Sequence, residues 1–154
     1  MILSQFLDFE AIRIDLTVNN KRQLLNQLAQ VAGARLSLDP GLIAESIGER
    51  ERLGSTGFGG GVAIPHGKLA GLDRVYALVA RLSTPVEYKA IDGGKIDLVF
   101  LLLSPPDAGA EHLKALAAVS RLVRHAVTVE KLRGARSRDA LAAVLMGVEE
   151  RDAA

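Results

Sequence analysis

The sequence lacks cysteine and tryptophan, and only 4% of its residues are aromatic. The absence of cysteine excludes disulfide bonds, thiolate metal ligands and a cysteine nucleophile, and it fits a reducing compartment. A chain of 154 residues can bury roughly 68–70% of the surface that its unfolded form exposes, so it needs no covalent or metal cross-link. The length predicts one domain that spans residues 1–154.

The chain also lacks a strong charge of either sign and any long apolar run. Its 19 basic and 18 acidic residues give a net charge of +1, which offers no reason to expect a nucleic-acid partner. The basic stretch 121–138 contains no aromatic residue and is typical of a solvated helical face. The longest apolar run, residues 98–103, is too short to span a membrane, and the first 16 residues do not form a signal-peptide pattern. We therefore expect a cytoplasmic protein without membrane insertion.

The first third of the sequence predicts one strand followed by two helices. Apolar and polar residues alternate over residues 12–18, which is typical of a half-exposed strand. Asn20 and Gln23 have the spacing of a capping box before an apolar helical stripe over residues 24–32. Asp39 and Pro40 predict the start of the second helix, because aspartate can cap free amides and proline has no amide to lose there. Gly54 predicts its end, in the left-handed conformation that glycine tolerates.

The rest of the sequence predicts a block of strands and then three helices. Strands are expected over residues 62–64, 75–82 and 96–103, and the last of these has no polar face, so it should be central and covered on both sides. Helices are expected over residues 110–124, 129–133 and 137–146, the last capped by Ser137 and ended by Gly147. These elements predict an α/β fold: a three-layer α/β/α sandwich with a central mixed β-sheet flanked by helices on both faces.

The segment GSTGFGGGVAIPHG, residues 54–67, contains six glycines and is the most unusual stretch of the chain. It is not a P-loop, because five residues rather than four separate Gly61 from Gly67-Lys68, and Leu69 follows instead of serine or threonine. It does not match a dinucleotide fingerprint either, because it leads into a strand rather than a helix. No Gly-x-Ser-x-Gly elbow of a serine hydrolase occurs in the sequence.

The three histidines are the remaining candidates for chemistry. His66 lies between Pro65 and Gly67, so we expect it at a strand end, on a loop, although composition alone favours an ordinary hydrogen-bonded loop histidine. His112 borders the apolar face of a predicted helix, where a structural role is the simpler interpretation. His125 is about 220° around that helix from His112, so the two cannot form a pair of metal ligands. We predict no metal site.

Two segments resemble the mannitol/fructose-type IIA family of the phosphotransferase system. The first, ERERLGSTGFGGGVAIPHG at residues 49–67, is similar to the family's active-site signature. The second, GAEHLKAL at residues 109–116, resembles its second-histidine segment. GSTG, IPHGKL and AIDGGKIDL look most like the nitrogen-regulatory branch.

The resemblance implies a phosphotransferase component that carries a phosphoryl group without a cofactor. His66 would be the phosphoryl acceptor through Nε2. His112 would form a supporting hydrogen bond with the transferred phosphoryl group, and Arg50 would stabilise that group. The hydroxyls of Ser55 and Thr56 are further candidates for phosphoryl binding, and the residues do not decide between them.

The partners implied are an HPr-like phosphocarrier protein (NPr) and regulatory targets such as sensor kinases or potassium-transport components. The alternative is a sugar-specific IIA component that passes phosphate to a IIB partner of a fructose/mannitol-type permease. A binding module that has lost phosphorylation is a third class, against which the retention of His66, Arg50 and His112 argues.

Overall fold

The computed structural model describes the backbone of residues 2–153 and the side chains of residues 2–148. The strands are β1 (Arg13–Leu16), β2 (Gly57–Gly59), β3 (Val62–Ala63), β4 (His66–Lys68), β5 (Tyr76–Val86) and β6 (Ile96–Ser104). The helices are α1 (Lys21–Leu36), α2 (Pro40–Leu53), α3 (Gly109–Val123), α4 (Ala126–Gly134) and α5 (Arg138–Ala153). Two 3₁₀ turns, Leu3–Gln5 and Phe9–Ala11, precede β1 and were not predicted from the sequence.

The six strands form one mixed sheet in the order β1-β5-β6-β3-β2, and β4 also pairs with β6. Strands β3 and β4 run parallel to β6, whereas β5 runs antiparallel to it. The apolar strand β6 is therefore central, as the sequence predicted. Because β4 extends the line of β3 along β6, the segment between them brings His66 to the end of β6 that carries Ser104.

Successive side chains of β6 point to opposite faces of the sheet and enter two separate cores. Leu98, Phe100 and Leu102 pack with residues of α3, α4 and α5, whereas the alternate residues 99, 101 and 103 pack with α1 and α2. A strand buried on both faces needs no polar side, which explains its uninterrupted apolar run. The arrangement confirms the predicted three-layer α/β/α sandwich.

Three of the predicted helix starts are capped by the predicted residues, and one detail of a cap was wrong. Asn20 accepts the amide of Gln23 at 2.9 Å, Asp39 accepts that of Gly41 at 2.8 Å, and Ser137 accepts that of Ala140 at 3.0 Å. The reciprocal half of the predicted capping box is wrong, because the Gln23 side chain accepts the amide of Asn19 rather than that of Asn20.

Gly147 does not end α5, which continues to Ala153. Leu141, Leu145 and Val148 are all buried, so the packing of their side chains stabilises the helix on both sides of the glycine. This packing outweighs the cost of glycine in a helix, which is about 1 kcal/mol relative to alanine. Gly54 does end α2, as predicted, but with φ 156° and ψ 147° instead of the left-handed helical conformation.

Candidate functional site

The glycine-rich segment folds into a tight hairpin that leads back into the sheet. Strands β2 and β3 pair antiparallel. Gly59, the last residue of β2, and the turn residues Gly60 and Gly61 adopt positive φ angles of 120°, 64° and 84°. Residues other than glycine rarely adopt positive φ angles, so the turn requires glycine at these three positions. The turn places β3 beside β6 and directs the chain toward Pro65 and His66.

Gly67 allows helix α2 to approach strand β4 closely. A Cβ atom at position 67 would meet Ser46 Oγ and would lie 3.2 Å from the backbone carbonyl carbon and oxygen of Ser46. The Ser46 hydroxyl also donates to the Lys68 carbonyl at 2.6 Å. This close contact holds the C-terminal half of α2 against the strand that contains His66.

His66 is the first residue of the short strand β4, so the prediction that it lies on a loop is wrong. The strand forms because its backbone continues the parallel pairing with β6, which a local sequence pattern does not reveal. The ring nitrogen Nδ1 lies 2.8 Å from the Ile64 carbonyl oxygen. A carbonyl oxygen only accepts, so Nδ1 carries the proton in the neutral ring and Nε2 retains its lone pair.

His112 lies beside His66, in the first turn of α3. The centroids of the two rings are 5.5 Å apart and their planes are tilted by 48°. The His112 residue is 8% exposed, and its Nδ1 lies 2.5 Å from the hydroxyl oxygen of Ser104, the fully buried last residue of β6. The structure thus brings together the two histidines that are 46 positions apart in the sequence.

An open depression of about 600 Å³ surrounds the two rings. Its other lining residues come from the last turns of α2 and from β4: Ser46, Glu49, Arg50, Leu53, Gly67 and Lys68. The half-buried Arg50 uses Nη1 to donate to the Gly54 carbonyl at 3.0 Å, beyond the end of its own helix. Arg50 also lines the depression, which therefore combines the unprotonated imidazole nitrogen of His66 with a fixed positive charge.

Both histidines are held in their neutral form. Burial lowers the pKa of His66 below 6.5, and the positive charge of Arg50 lowers it further, against the hydrogen bond to Ile64 and the carboxylate of Glu51. Burial also lowers the pKa of His112, with smaller contributions from His66 and Lys68. A neutral imidazole is the nucleophilic form of the ring, so the site favours nucleophilic chemistry near neutral pH.

The lowered pKa values predict that acid destabilises the fold through these two rings. As the pH falls below 6.5, the unfolded chain takes up protons at His66 and His112 before the folded protein does. The free energy of unfolding therefore decreases as the pH falls from 6.5 to the lower pKa values of the two rings in the folded protein. NMR titration should show both rings protonating below pH 6.5. Urea unfolding of a His66→Gln, His112→Gln double variant should show a weaker loss of stability in acid than the wild type. Titration of either ring above 6.5 would contradict this account.

Ser55 and Thr56 are not among the residues that line the depression. The Ser55 hydroxyl accepts the amide of Gly57 at 3.1 Å in a local turn. The Thr56 hydroxyl is buried and hydrogen-bonds to the Glu51 carboxylate and, at 2.9 Å, to the Tyr88 hydroxyl. The contact of these two hydroxyls with a phosphoryl group stays a prediction, and the geometry favours a role in holding the backbone.

A polar network that the sequence did not predict supports this backbone. Glu51 accepts from the amide of Thr56 at 3.1 Å and from the Tyr88 hydroxyl at 2.8 Å, and it forms an ion pair with Lys21 at 2.8 Å. The Thr56 carbonyl in turn accepts the amide of Ile64, whose carbonyl binds the His66 ring. Lys21 and Tyr88 are distant in sequence from the motif, so no spacing could have identified them.

Comparison with known proteins agrees with these features. The family described as "Phosphoenolpyruvate-dependent sugar phosphotransferase system, EIIA 2" matches residues 5–147. A nitrogen regulatory protein of Bradyrhizobium diazoefficiens is 46% identical over 136 residues, which cover 88% of this chain and 89% of that protein. A nitrogen regulatory protein of Escherichia coli is 36% identical over 148 residues, which cover 96% and 91%.

A solved structure shows the same fold at similar size. The crystal structure of nitrogen regulatory protein IIA-Ntr from Neisseria meningitidis has a TM-score of 0.87 and 33% identity, with 93% of this chain and 98% of that chain covered. Sequence and structure therefore agree over nearly the whole chain. The protein belongs to the EIIA type-2 family of the phosphoenolpyruvate-dependent sugar phosphotransferase system.

Proposed function

We propose that this protein is a phosphoryl carrier of the nitrogen-regulatory type, which accepts a phosphoryl group on Nε2 of His66 from an HPr-like carrier protein (NPr). The observation that carries the proposal is the hydrogen bond from Nδ1 of His66 to the Ile64 carbonyl. This bond leaves Nε2 unprotonated, next to the positive charge of Arg50 and to the second imidazole of His112. A cytoplasmic location belongs to the same proposal. No helix among residues 2–153 is long and apolar enough to cross a membrane.

The transfer step is a displacement at phosphorus in which one P–N bond replaces another. The Nε2 lone pair of His66 attacks the phosphorus of a phosphohistidine on the carrier, a new P–N bond forms, and the P–N bond to the carrier breaks. The electron pair of the broken bond returns to the carrier's imidazole. Positive charge develops on the His66 ring, and its Nδ1–H bond to the Ile64 carbonyl stabilises that charge.

Arg50 and His112 would stabilise the phosphoryl oxygens during transfer. Among the described residues, the hydrogen bond recorded for Arg50 is the one from Nη1 to the Gly54 carbonyl. The planar guanidinium would use its other N–H groups to form two parallel bonds to the phosphoryl group. His112, which also lines the depression, would add one donor. Phosphoryl transfer is catalysed mainly by positioning and charge stabilisation, and these are the roles that the proposal assigns to Arg50 and His112.

We expect His112→Ala to slow phosphoryl transfer by about ten- to a hundredfold without preventing phosphorylation of His66. One hydrogen bond to a charged group contributes about 1.5–3 kcal/mol, and its loss gives that range of rates. Rapid-quench measurement of transfer from the phosphorylated carrier would check this. Phosphate found on His112 of the wild type would instead reverse the roles of the two histidines.

The output of the carrier is the second part of the proposal. Two relatives of 46% and 36% identity that match along most of their length are named nitrogen regulatory proteins, which supports regulation of target proteins over delivery of phosphate to a sugar permease. The targets would be proteins such as sensor kinases or potassium-transport components that distinguish the phosphorylated from the unphosphorylated form.

Two measurements separate the regulatory function from the sugar-transport alternative. Immobilised protein in its phosphorylated and unphosphorylated forms should retain different target proteins, with a His66→Gln variant as the form that stays unphosphorylated. In parallel, transfer from the phosphorylated protein to IIB components of fructose- and mannitol-type permeases should be slow. Rapid transfer to a IIB component, together with identical sets of retained proteins, would favour the sugar-specific role.

A further inference from the structure

The contact between Ser104 and His112 determines which nitrogen of His112 carries the proton. Ser104 Oγ lies 2.5 Å from Nδ1 of His112. A serine hydroxyl can donate to an unprotonated Nδ1 or accept from a protonated one, so the distance alone allows both tautomers. The two tautomers present opposite groups at Nε2: a donor in the first case and a lone pair in the second.

The surroundings of Ser104 decide between these tautomers. Ser104 has no solvent-exposed surface. Within the part of the chain that the structure describes, His112 Nδ1 is the one hydrogen-bond partner recorded for its hydroxyl. If Nδ1 were protonated, the Ser104 proton would be buried without an acceptor, which typically costs about 1–3 kcal/mol. If Ser104 donates, both groups are satisfied.

We propose that Ser104 is a positioning residue that donates its hydroxyl proton to Nδ1 of His112 and so fixes His112 as the tautomer protonated at Nε2. The tautomer follows from the burial and contacts of Ser104 alone, whereas its consequence for transfer rests on the proposed function.

This arrangement gives the two rings of the site opposite tautomers. The Ile64 carbonyl fixes the proton of His66 on Nδ1 and leaves a lone pair on Nε2, whereas Ser104 fixes the proton of His112 on Nε2. One ring is thereby set as a nucleophile and the other as a hydrogen-bond donor. Both rings favour the neutral form before the phosphoryl group arrives, because burial lowers the pKa of each, and His66 and Lys68 lower the pKa of His112 further.

The place of Ser104 in the fold makes it a firm anchor for this bond. It is the last residue of the central strand β6, it pairs with Lys68 of β4, and its carbonyl accepts the amide of Leu69 at 2.8 Å. The same strand pairing fixes the position of His66. Ser104 therefore links the orientation of His112 on α3 to strand β4, which contains His66.

Nitrogen-15 NMR of the unphosphorylated wild type tests the tautomer directly. Above the pKa of the ring, the chemical shifts should identify Nε2 of His112 as protonated and Nδ1 as a hydrogen-bonded acceptor, with the reverse assignment for His66. A proton on Nδ1 of His112 would overturn the proposal, because Ser104 would then be an acceptor. This measurement needs no partner protein and no variant, so it does not depend on the proposed function.

Variants at position 104 test the consequence for transfer. Ser104→Ala should slow phosphoryl transfer to His66 by about tenfold, and its His112 ring should show tautomer exchange or ring motion that the wild type lacks. Ser104→Thr keeps the hydroxyl and should restore most of the rate. Ser83→Ala is the matched control, because it removes a serine hydroxyl that bonds to Thr17 on an exposed part of the sheet.

The outcomes separate this inference from the proposed function. If His112→Ala transfers slowly while Ser104→Ala matches the wild type, the positioning role of Ser104 is refuted and the role of His112 stands. If His112→Ala also transfers at the wild-type rate, the supporting role of His112 in the proposed function fails, and the NMR result still decides the tautomer.

Discussion

His66→Ala is expected to abolish phosphoryl acceptance completely. The hydrogen bond of Nδ1 to the Ile64 carbonyl leaves Nε2 of His66 as the nucleophilic nitrogen in the depression, and the variant lacks this nitrogen. Incubation of the wild type with the cognate enzyme I, the carrier protein and phosphoenolpyruvate should add one phosphoryl group per chain, and the variant should take up none. Intact-protein mass spectrometry at neutral pH measures both results.

His125→Ala is the matched control for that experiment, because it removes an exposed histidine that does not line the depression. It should be phosphorylated to the same extent and at the same rate as the wild type. Stoichiometric labelling of His66→Ala would show that another residue accepts the phosphoryl group.

Arg50→Ala should slow transfer by roughly a hundred- to a thousandfold. Two charge-assisted hydrogen bonds to the phosphoryl oxygens would be lost, and together they contribute about 3–4 kcal/mol to the transition state. Arg50→Lys keeps the positive charge but not the planar pair of donors, so its rate should lie between those of Arg50→Ala and the wild type. Single-turnover transfer rates from the phosphorylated carrier measure the effect.

The competing role of Arg50 is structural and predicts a different pattern. In the structure, Arg50 donates to the Gly54 carbonyl in the last turn of α2, and a cation at this position stabilises a helix by about 0.3–1 kcal/mol. Arg52 lies in the same turn but is exposed and does not line the depression, so Arg52→Ala is the control. If both alanine variants lower the melting temperature slightly and transfer at the wild-type rate, Arg50 plays no part in the chemistry.

The layers of the fold could be predicted from the sequence because their signals are local. The unbroken apolar run of β6 indicated a strand covered on both faces, and Asn20, Asp39 and Ser137 each marked a helix start that the structure confirms. Such signals work because a helix end must satisfy its free amides within a few residues of the chain.

The site could be predicted only as far as its motif extends. His66 and Arg50 belong to one continuous signature, and His112 to a second, so the resemblance identified all three before their proximity was known. The strand pairing of β4 and the contact of Ser104 with His112 depend on residues brought together by the sheet, and no sequence spacing encodes them. One signal was available: Ser104 is the polar residue that directly follows the buried apolar run 98–103 of β6.

At Gly147 the sequence contained a local signal for a helix end, and that signal was misleading. A glycine near the end of an apolar helical pattern usually marks a helix end, yet α5 continues through it. The buried residues Leu145 and Val148 on either side pack against the core and keep the helix in place. Tertiary packing of this kind outweighs the intrinsic preference of a single residue.

Nitrogen-15 and phosphorus-31 NMR of the phosphorylated wild type most directly test the central claim, because they identify the nitrogen that forms the P–N bond. The account predicts one acid-labile, base-stable phosphohistidine with phosphorus on Nε2 of His66, and with Nδ1 of the same ring still protonated and bonded to the Ile64 carbonyl. Phosphorus on Nδ1 of His66, on His112, or in an acid-stable ester of Ser55 or Thr56 would contradict it.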